Sequence, residues 1–121
     1  MHFQIEPHAT GKLIWVTNGS ILDYVVDVRK VESFGQIHQF TLTANSTDSL
    51  WVPPGFAHGF QALHDNSIVN YATDGPYNPE SDTGIHWNSF GAKWATNPSH
   101  VSPRDSEFCT LQEFEYSQRN T

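Results

Sequence analysis

Residues 51–60 read WVPPGFAHGF, and few chain paths accommodate that run. Pro53 and Pro54 have no amide hydrogen for a helix or a sheet ladder, and each fixes its own φ. They end the apolar strand before them, residues 49–52, and a second strand begins within a few residues. The run is a strand, a turn and a strand, placed at the mouth of an all-β fold. The rest of the chain has the same grain of short alternating segments between turn residues. Residues 12–17 (KLIWVT) form a strand. Asn18-Gly19 follows, a two-residue hairpin signal because both positions tolerate φ > 0, and residues 20–29 are the return strand. Residues 36–44 are a third strand. Residues 59–63 and 67–73 form a second hairpin around His64-Asp65-Asn66. Gly75, Pro76 and Pro79 make residues 74–82 a loop. A short strand is expected at residues 85–88. A polar tail from about residue 97 carries one helical turn near residues 111–114. No repeat or linker interrupts residues 1–121, which read as one antiparallel β barrel or jelly roll.

The first hairpin carries a chemical implication. A two-residue loop pairs Thr17 with Ser20 and Ile14 with Asp23. Lys12, Ile14 and Val16 then share a face with Ile21, Asp23 and Val25. That face is mostly apolar and is the inner one, so Lys12 and Asp23 both point inward as diagonal neighbours. Buried charges are costly unless paired or used. The outer face carries Leu13, Trp15, Leu22 and Tyr24 and is also apolar, so a second sheet or a partner subunit is expected over it.

Composition excludes several classes of function. The formal charge is −7, from 13 acidic and 6 basic residues. Nucleic acid and anionic membranes demand clustered Lys and Arg, so neither is an expected partner. An anionic small molecule needs only one or two cations inside a pocket. The single cysteine, Cys109, permits no internal disulfide, which fits a cytoplasmic location. No apolar run reaches the ~20 residues that span a bilayer, and MHFQIEPH lacks the features of a signal peptide.

Seven histidines invite a metal reading, but they are scattered, with no H-x-H or H-x-x-x-H pair. No metal is expected. There is no G-x-S-x-G elbow, no G-x-G-x-x-G and no P-loop. What remains is proton transfer by His and Tyr near a Lys. That set suits removal of a proton beside a carbonyl: a base takes it, a cation holds the enolate oxygen, and an acid returns one.

The motifs themselves are specific. HFQ at residues 2–4, GKL at 11–13, D-x-x-V-D-x-R at 23–29, LWVPPGFAHGF at 50–60, Tyr71, Tyr77-x-Pro79 and G-I-x-W at 84–87 occur in this order. Together the chain resembles the dTDP-4-dehydrorhamnose 3,5-epimerase family, over residues 1 to about 105. The resemblance implies a cupin-type barrel, a homodimer, and no metal or other cofactor. It implies a substrate that is a dTDP-linked 4-keto-6-deoxysugar, epimerised at C5 and C3 in dTDP-rhamnose or related deoxysugar synthesis. His2 falls at the family's general base, Lys12 at the cation that holds the C4 oxygen, and Tyr71 at the general acid. A one-residue shift would put Asn70 at the acid position; the ungapped match from His58 keeps Tyr71 and also places Tyr77 and Pro79. Tyr77 matches the ring that stacks on the nucleotide base. His58 and Asp82 match substrate contacts, Asp82 replacing a Glu. Arg104 and Asp105 match a pair whose Asp orients the base and whose cation binds diphosphate. Asp23 is expected as a second acidic neighbour of the base. The family carries a further segment before this His, where the present sequence starts at Met1. Each residue also has an ordinary structural reading, and a barrel that binds a nucleotide sugar without turning it over is the alternative function.

Overall fold

The computed structural model describes residues 1–121. Eight strands and two helices follow in order: β1 (His2–Gln4), β2 (Lys12–Asn18), β3 (Ser20–Asp27), β4 (Ile37–Thr43), β5 (Leu50–Val52), β6 (Phe56–Ala62), β7 (Ile68–Thr73), β8 (Asp82–Gly84), α1 (Pro103–Glu107) and α2 (Leu111–Arg119). They form two antiparallel sheets, a five-stranded one in the order β4-β3-β6-β1-β8 and a three-stranded one in the order β5-β2-β7.

The predicted inner face is the inner face. Ile14 and Val16 of β2 pack with Ile21 and Val25 of β3, Leu42 of β4 and Val52 of β5 in a core between the sheets. The predicted hairpins, however, are not hairpins. β2 pairs with β5 and β7, while β3 pairs with β4 and β6. Asn18-Gly19 therefore carries the chain from one sheet to the other. Gly19 sits at φ 72°, and a Cβ there would lie 2.3 Å from Ser67 Oγ. The connection from β6 to β7 likewise crosses between sheets, through Asn66 at φ 59°. The two corners touch, Asn18 Nδ2 donating to Asn66 O at 2.7 Å. The Pro53-Pro54-Gly55 turn makes another tight crossing, from β5 in one sheet to β6 in the other. Positive-φ residues make the tight reversals in each case. Local turn chemistry says that the chain turns; it does not say which strand becomes its neighbour.

On the five-stranded sheet the predicted outer face, Leu22 and Tyr24, is covered by the chain's own C-terminal part, whereas Leu13 of β2 on the other sheet stays exposed. Leu22, Tyr24 and Val26 pack with Met1, Phe3, Ile85, Phe90 and Phe114. The Tyr24 hydroxyl donates to Lys93 O at 3.0 Å and accepts from Lys93 N at 2.8 Å. Trp94 lies edge-on to the Tyr24 ring, 4.7 Å between centroids. The expected single helical turn is a nine-residue helix, α2, preceded by the shorter α1. Thr110 and Glu113 form a reciprocal capping box at the start of α2. Phe114 on its buried side meets Phe3 at 5.3 Å, a burial that contributes about 2–3 kcal/mol. The late strand is β8, Asp82–Gly84, and not residues 85–88, and β1 was not foreseen. Three-residue strands are too short to show a period.

Candidate active site

Register places the site. Val25 of β3 lies across from His58 of β6, and His58 lies across from His2 of β1. Residues directly opposite share a face of the sheet. Val25 belongs to the core between the sheets, so both imidazoles point into the same space. On the facing sheet Tyr71 is opposite the inward Ile14, and Lys12 is two residues from Ile14 along β2. Both therefore approach from the other wall. Asn70, the shifted alternative, lies across from Trp15 and bonds Thr17 Oγ1 at 3.0 Å instead.

Between the two walls is a cavity of about 460 Å³, lined by His2, Lys12, His58, Tyr71, Tyr77, Asp82 and Arg104 among others. This volume lies in the range of small-molecule sites. The two remaining predicted residues, Asp105 and Asp23, stand behind the lining, each bonded to one histidine.

His2 Nε2 is 2.5 Å from Asp105 Oδ1. With that nitrogen donating, Nδ1 carries the lone pair. The other Asp105 oxygen accepts from the Ser102 hydroxyl at 2.8 Å, and Ser102 Oγ accepts from Asp105 N at 3.0 Å as the cap of α1. Phe108 stands edge-on to the imidazole, 5.2 Å between centroids. Gly84, opposite His2 in β8, makes room for it: a Cβ there would lie 2.5 Å from the Phe108 ring. The His2 imidazole is thus fixed by a carboxylate at one nitrogen and a phenyl ring beside it. Burial lowers the His2 pKa from its ordinary value, and the Asp105 bond restores part of that. Burial pushes the Asp105 carboxyl up, but hydrogen bonds from Ser102 and His2 outweigh it and leave it below the usual range. The resting dyad is a neutral imidazole on an ionised carboxylate.

Asp23 was expected beside this base and beside Lys12. It is beside neither. Its Oδ2 is 2.7 Å from His58 Nε2, and Lys12 is on the opposite sheet. Asp23 is completely buried, with no partner for Oδ1, and burial raises its pKa while His58 pulls it down. It orients His58 and is not placed to touch a ligand.

Lys12 Nζ stands 5.9 Å from the centre of the Tyr71 ring. Burial lowers its pKa, with Asp82 acting against that. Tyr71 and Tyr77 are 65% and 70% exposed at the open side of the cavity, so neither is a packing residue. Asp82 gathers the mouth: Arg104 pairs with it, and the Tyr77 hydroxyl donates to it at 3.3 Å. Three supporting residues were missed by the sequence reading. Ser102 had a signal, the S-x-x-D cap of residues 102–105. Gln4, within the HFQ motif, had only its place beside His2. Phe108 had none.

A carboxylate-backed histidine on one wall, with a lysine and a free phenol on the other, defines a two-sheet protein with groups able to transfer protons gathered between its sheets. Residues 1–113 match the dTDP-4-dehydrorhamnose 3,5-epimerase family, and the chain belongs to it. It is 37% identical over 121 residues to the dTDP-4-dehydrorhamnose 3,5-epimerase of Sinorhizobium fredii, covering 97% of this chain and 62% of that protein. Among solved structures, the Bacillus anthracis dTDP-4-dehydrorhamnose 3,5-epimerase with TDP and PPi bound matches at a TM-score of 0.87 and 38% identity. That match covers 90% of this chain and 64% of the other. The Legionella pneumophila dTDP-6-deoxy-D-glucose-3,5-epimerase, in complex with dTDP-4-keto-L-rhamnose, matches at 0.85 and 31%, covering 92% and 61%. The chain spans somewhat under two thirds of the length of these relatives.

Proposed function

We propose that the protein is an isomerase that epimerises a dTDP-4-keto-6-deoxyhexose at C5, and at C3 as the second centre, in dTDP-rhamnose or related deoxysugar biosynthesis. The observation that carries this is the opposition of the His2–Asp105 dyad on one wall to Lys12 and Tyr71 on the other. The 4-keto group acidifies the protons on both flanking carbons. His2 removes one through Nδ1, and the charge on Asp105 stabilises the imidazolium that forms. Lys12 holds the enolate oxygen as charge develops there. Tyr71, from the opposite side, returns a proton to the other face and so inverts the centre. Arg104 leaves Asp82 to meet the diphosphate, and Tyr77 stacks on the base. No cofactor is called for, because the activating carbonyl belongs to the substrate. The two sheets are read as the halves of a cupin-type barrel, and the protein as a cytoplasmic homodimer.

The division between base and acid is testable. Tyr71→Phe removes the proton donor and leaves the base intact. In D2O this variant is expected to keep exchanging the C5 proton while forming less than about a tenth of the inverted product, given the 10²–10⁴-fold contribution typical of a general acid. Mass spectrometry reads the exchange and NMR the configuration. Normal inversion by Tyr71→Phe rules out the acid role.

A further inference from the structure

We infer that Gln4 is a positioning residue that sets the span between the proton-transfer end of the cavity and its nucleotide end; the inference rests on the epimerase reading. Gln4 lies two residues along β1 from His2, so the two side chains leave the strand on the same side, and both line the cavity. The Gln4 side chain is buried and fully used. Its Oε1 accepts from Asn78 N at 2.8 Å, and its Nε2 donates to Pro76 O at 3.3 Å and to His8 O at 2.6 Å. Pro76 and Asn78 are the residues on either side of Tyr77. One amide thus grips the backbone on both flanks of a ring whose own contact is a single 3.3 Å bond to Asp82.

No other side chain bonds the backbone of residues 76–78. The match is chemical as well as geometric. A donor and an acceptor are needed from one end group, and an amide offers both, whereas an ionised carboxylate only accepts. Because His2 and Gln4 share one short strand, the base and the ring that holds the nucleobase are fixed to the same rigid piece. The distance between them selects a ligand with an aromatic base at one end and a sugar at the other, separated by a diphosphate.

The test compares wild type, Gln4→Leu and Gln4→Glu. Three quantities are read: dTDP affinity by calorimetry, C5 proton exchange at saturating substrate, and hydrogen exchange of the Asn78 amide without ligand. Gln4→Leu is expected to weaken dTDP about tenfold, the loss of about 1.4 kcal/mol, with the saturated rate within about twofold of wild type by the rule for uniform binding. The Asn78 amide should exchange faster. Gln4→Glu is the second variant. It should bind dTDP weakly near neutral pH, where its carboxylate faces two carbonyl oxygens. Relative to wild type it should recover as the pH falls toward the ordinary Glu value of about 4.3, because a protonated carboxyl regains a donor. A residue that merely filled space would give no such recovery. Unchanged affinity in Gln4→Leu, unchanged Asn78 exchange, or no recovery in Gln4→Glu overturns the inference. If the wild type itself binds no dTDP, the epimerase reading falls and the span role with it. If wild type binds and Gln4→Leu binds equally well, only the role of Gln4 falls.

Discussion

His2→Asn is expected to lower C5 proton exchange by about 10³-fold, within the 10²–10⁴ range of a positioned general base. The ring it removes lines the cavity and carries Asp105 at its Nε2, as His58 carries Asp23, but only His2 falls at the base position of the family motif. Asn is shorter than the imidazole and does not reach the Nε2 position that bonds Asp105, so thermal stability is measured beside exchange to separate the lost base from the unpaired carboxylate. Substrate affinity should change little, because the nucleotide contacts are elsewhere. The pH profile follows with a definite sign. Only neutral His2 can take a proton, so activity is present above its pKa and falls as the pH drops through it. Burial lowers that pKa, so the acidic limb lies below the ordinary histidine value of 6.5. In Asp105→Asn the imidazolium loses its counter-charge, and exchange should fall at all pH values. A His2→Asn enzyme that exchanges C5 at the wild-type rate would remove His2 from the mechanism.

Lys12→Met is expected to cost about 10²–10³-fold in exchange at saturating substrate, the usual loss for one group that stabilises a developing oxyanion. Met keeps the length and the apolar stem and removes only the charge. Lys12 projects between the sheets, where water screens it less than at the surface, so its cation acts at high strength on an enolate oxygen. The sign of its titration is opposite to that of His2. The cation is present below its pKa, and activity falls as the pH rises through it. Burial lowers that pKa from 10.5, with Asp82 opposing, so the alkaline limb should lie below 10.5 and disappear in Lys12→Met. If steady-state kinetics show only a raised KM with kcat unchanged, Lys12 binds substrate uniformly and does not stabilise the enolate.

Much of this site was legible before any coordinates, and the reason is periodicity. Alternation along β2 and β3 placed Lys12, Ile14, Ile21, Asp23 and Val25 on one face, and they do face the interior. Alternation survived an error in pairing. The Asn18-Gly19 hairpin does not exist, yet the faces assigned through it stand, because each strand's apolar side seeks the core whichever strand lies beside it. The resemblance gave Asp105 to His2, and the two are bonded; that Asp23 serves His58 was not legible. Asp23 and Asp105 are both acidic residues distant in sequence from His2, and only the register of β3, β6 and β1 gives Asp23 to His58. The cover over Leu22 and Tyr24 was likewise hidden. Phe90, Trp94 and Phe114 lie in a polar stretch whose few aromatics show no period, and long-range packing alone brings them onto the sheet. The tail was underestimated because two short caps, Ser102 with Asp105 and Thr110 with Glu113, are written in single residues and not in a pattern.

The central claim is that the cavity between the sheets exchanges protons beside a ketone. The most direct measurement incubates the protein with dTDP-4-keto-6-deoxyglucose in D2O and follows deuterium at C5 and C3 by mass spectrometry. The account predicts enzyme-dependent uptake at C5, with C3 as the second centre, and loss of that uptake in His2→Asn. No uptake at high protein concentration, with dTDP still bound, would contradict it and leave a two-sheet protein that holds the nucleotide sugar without turning it over.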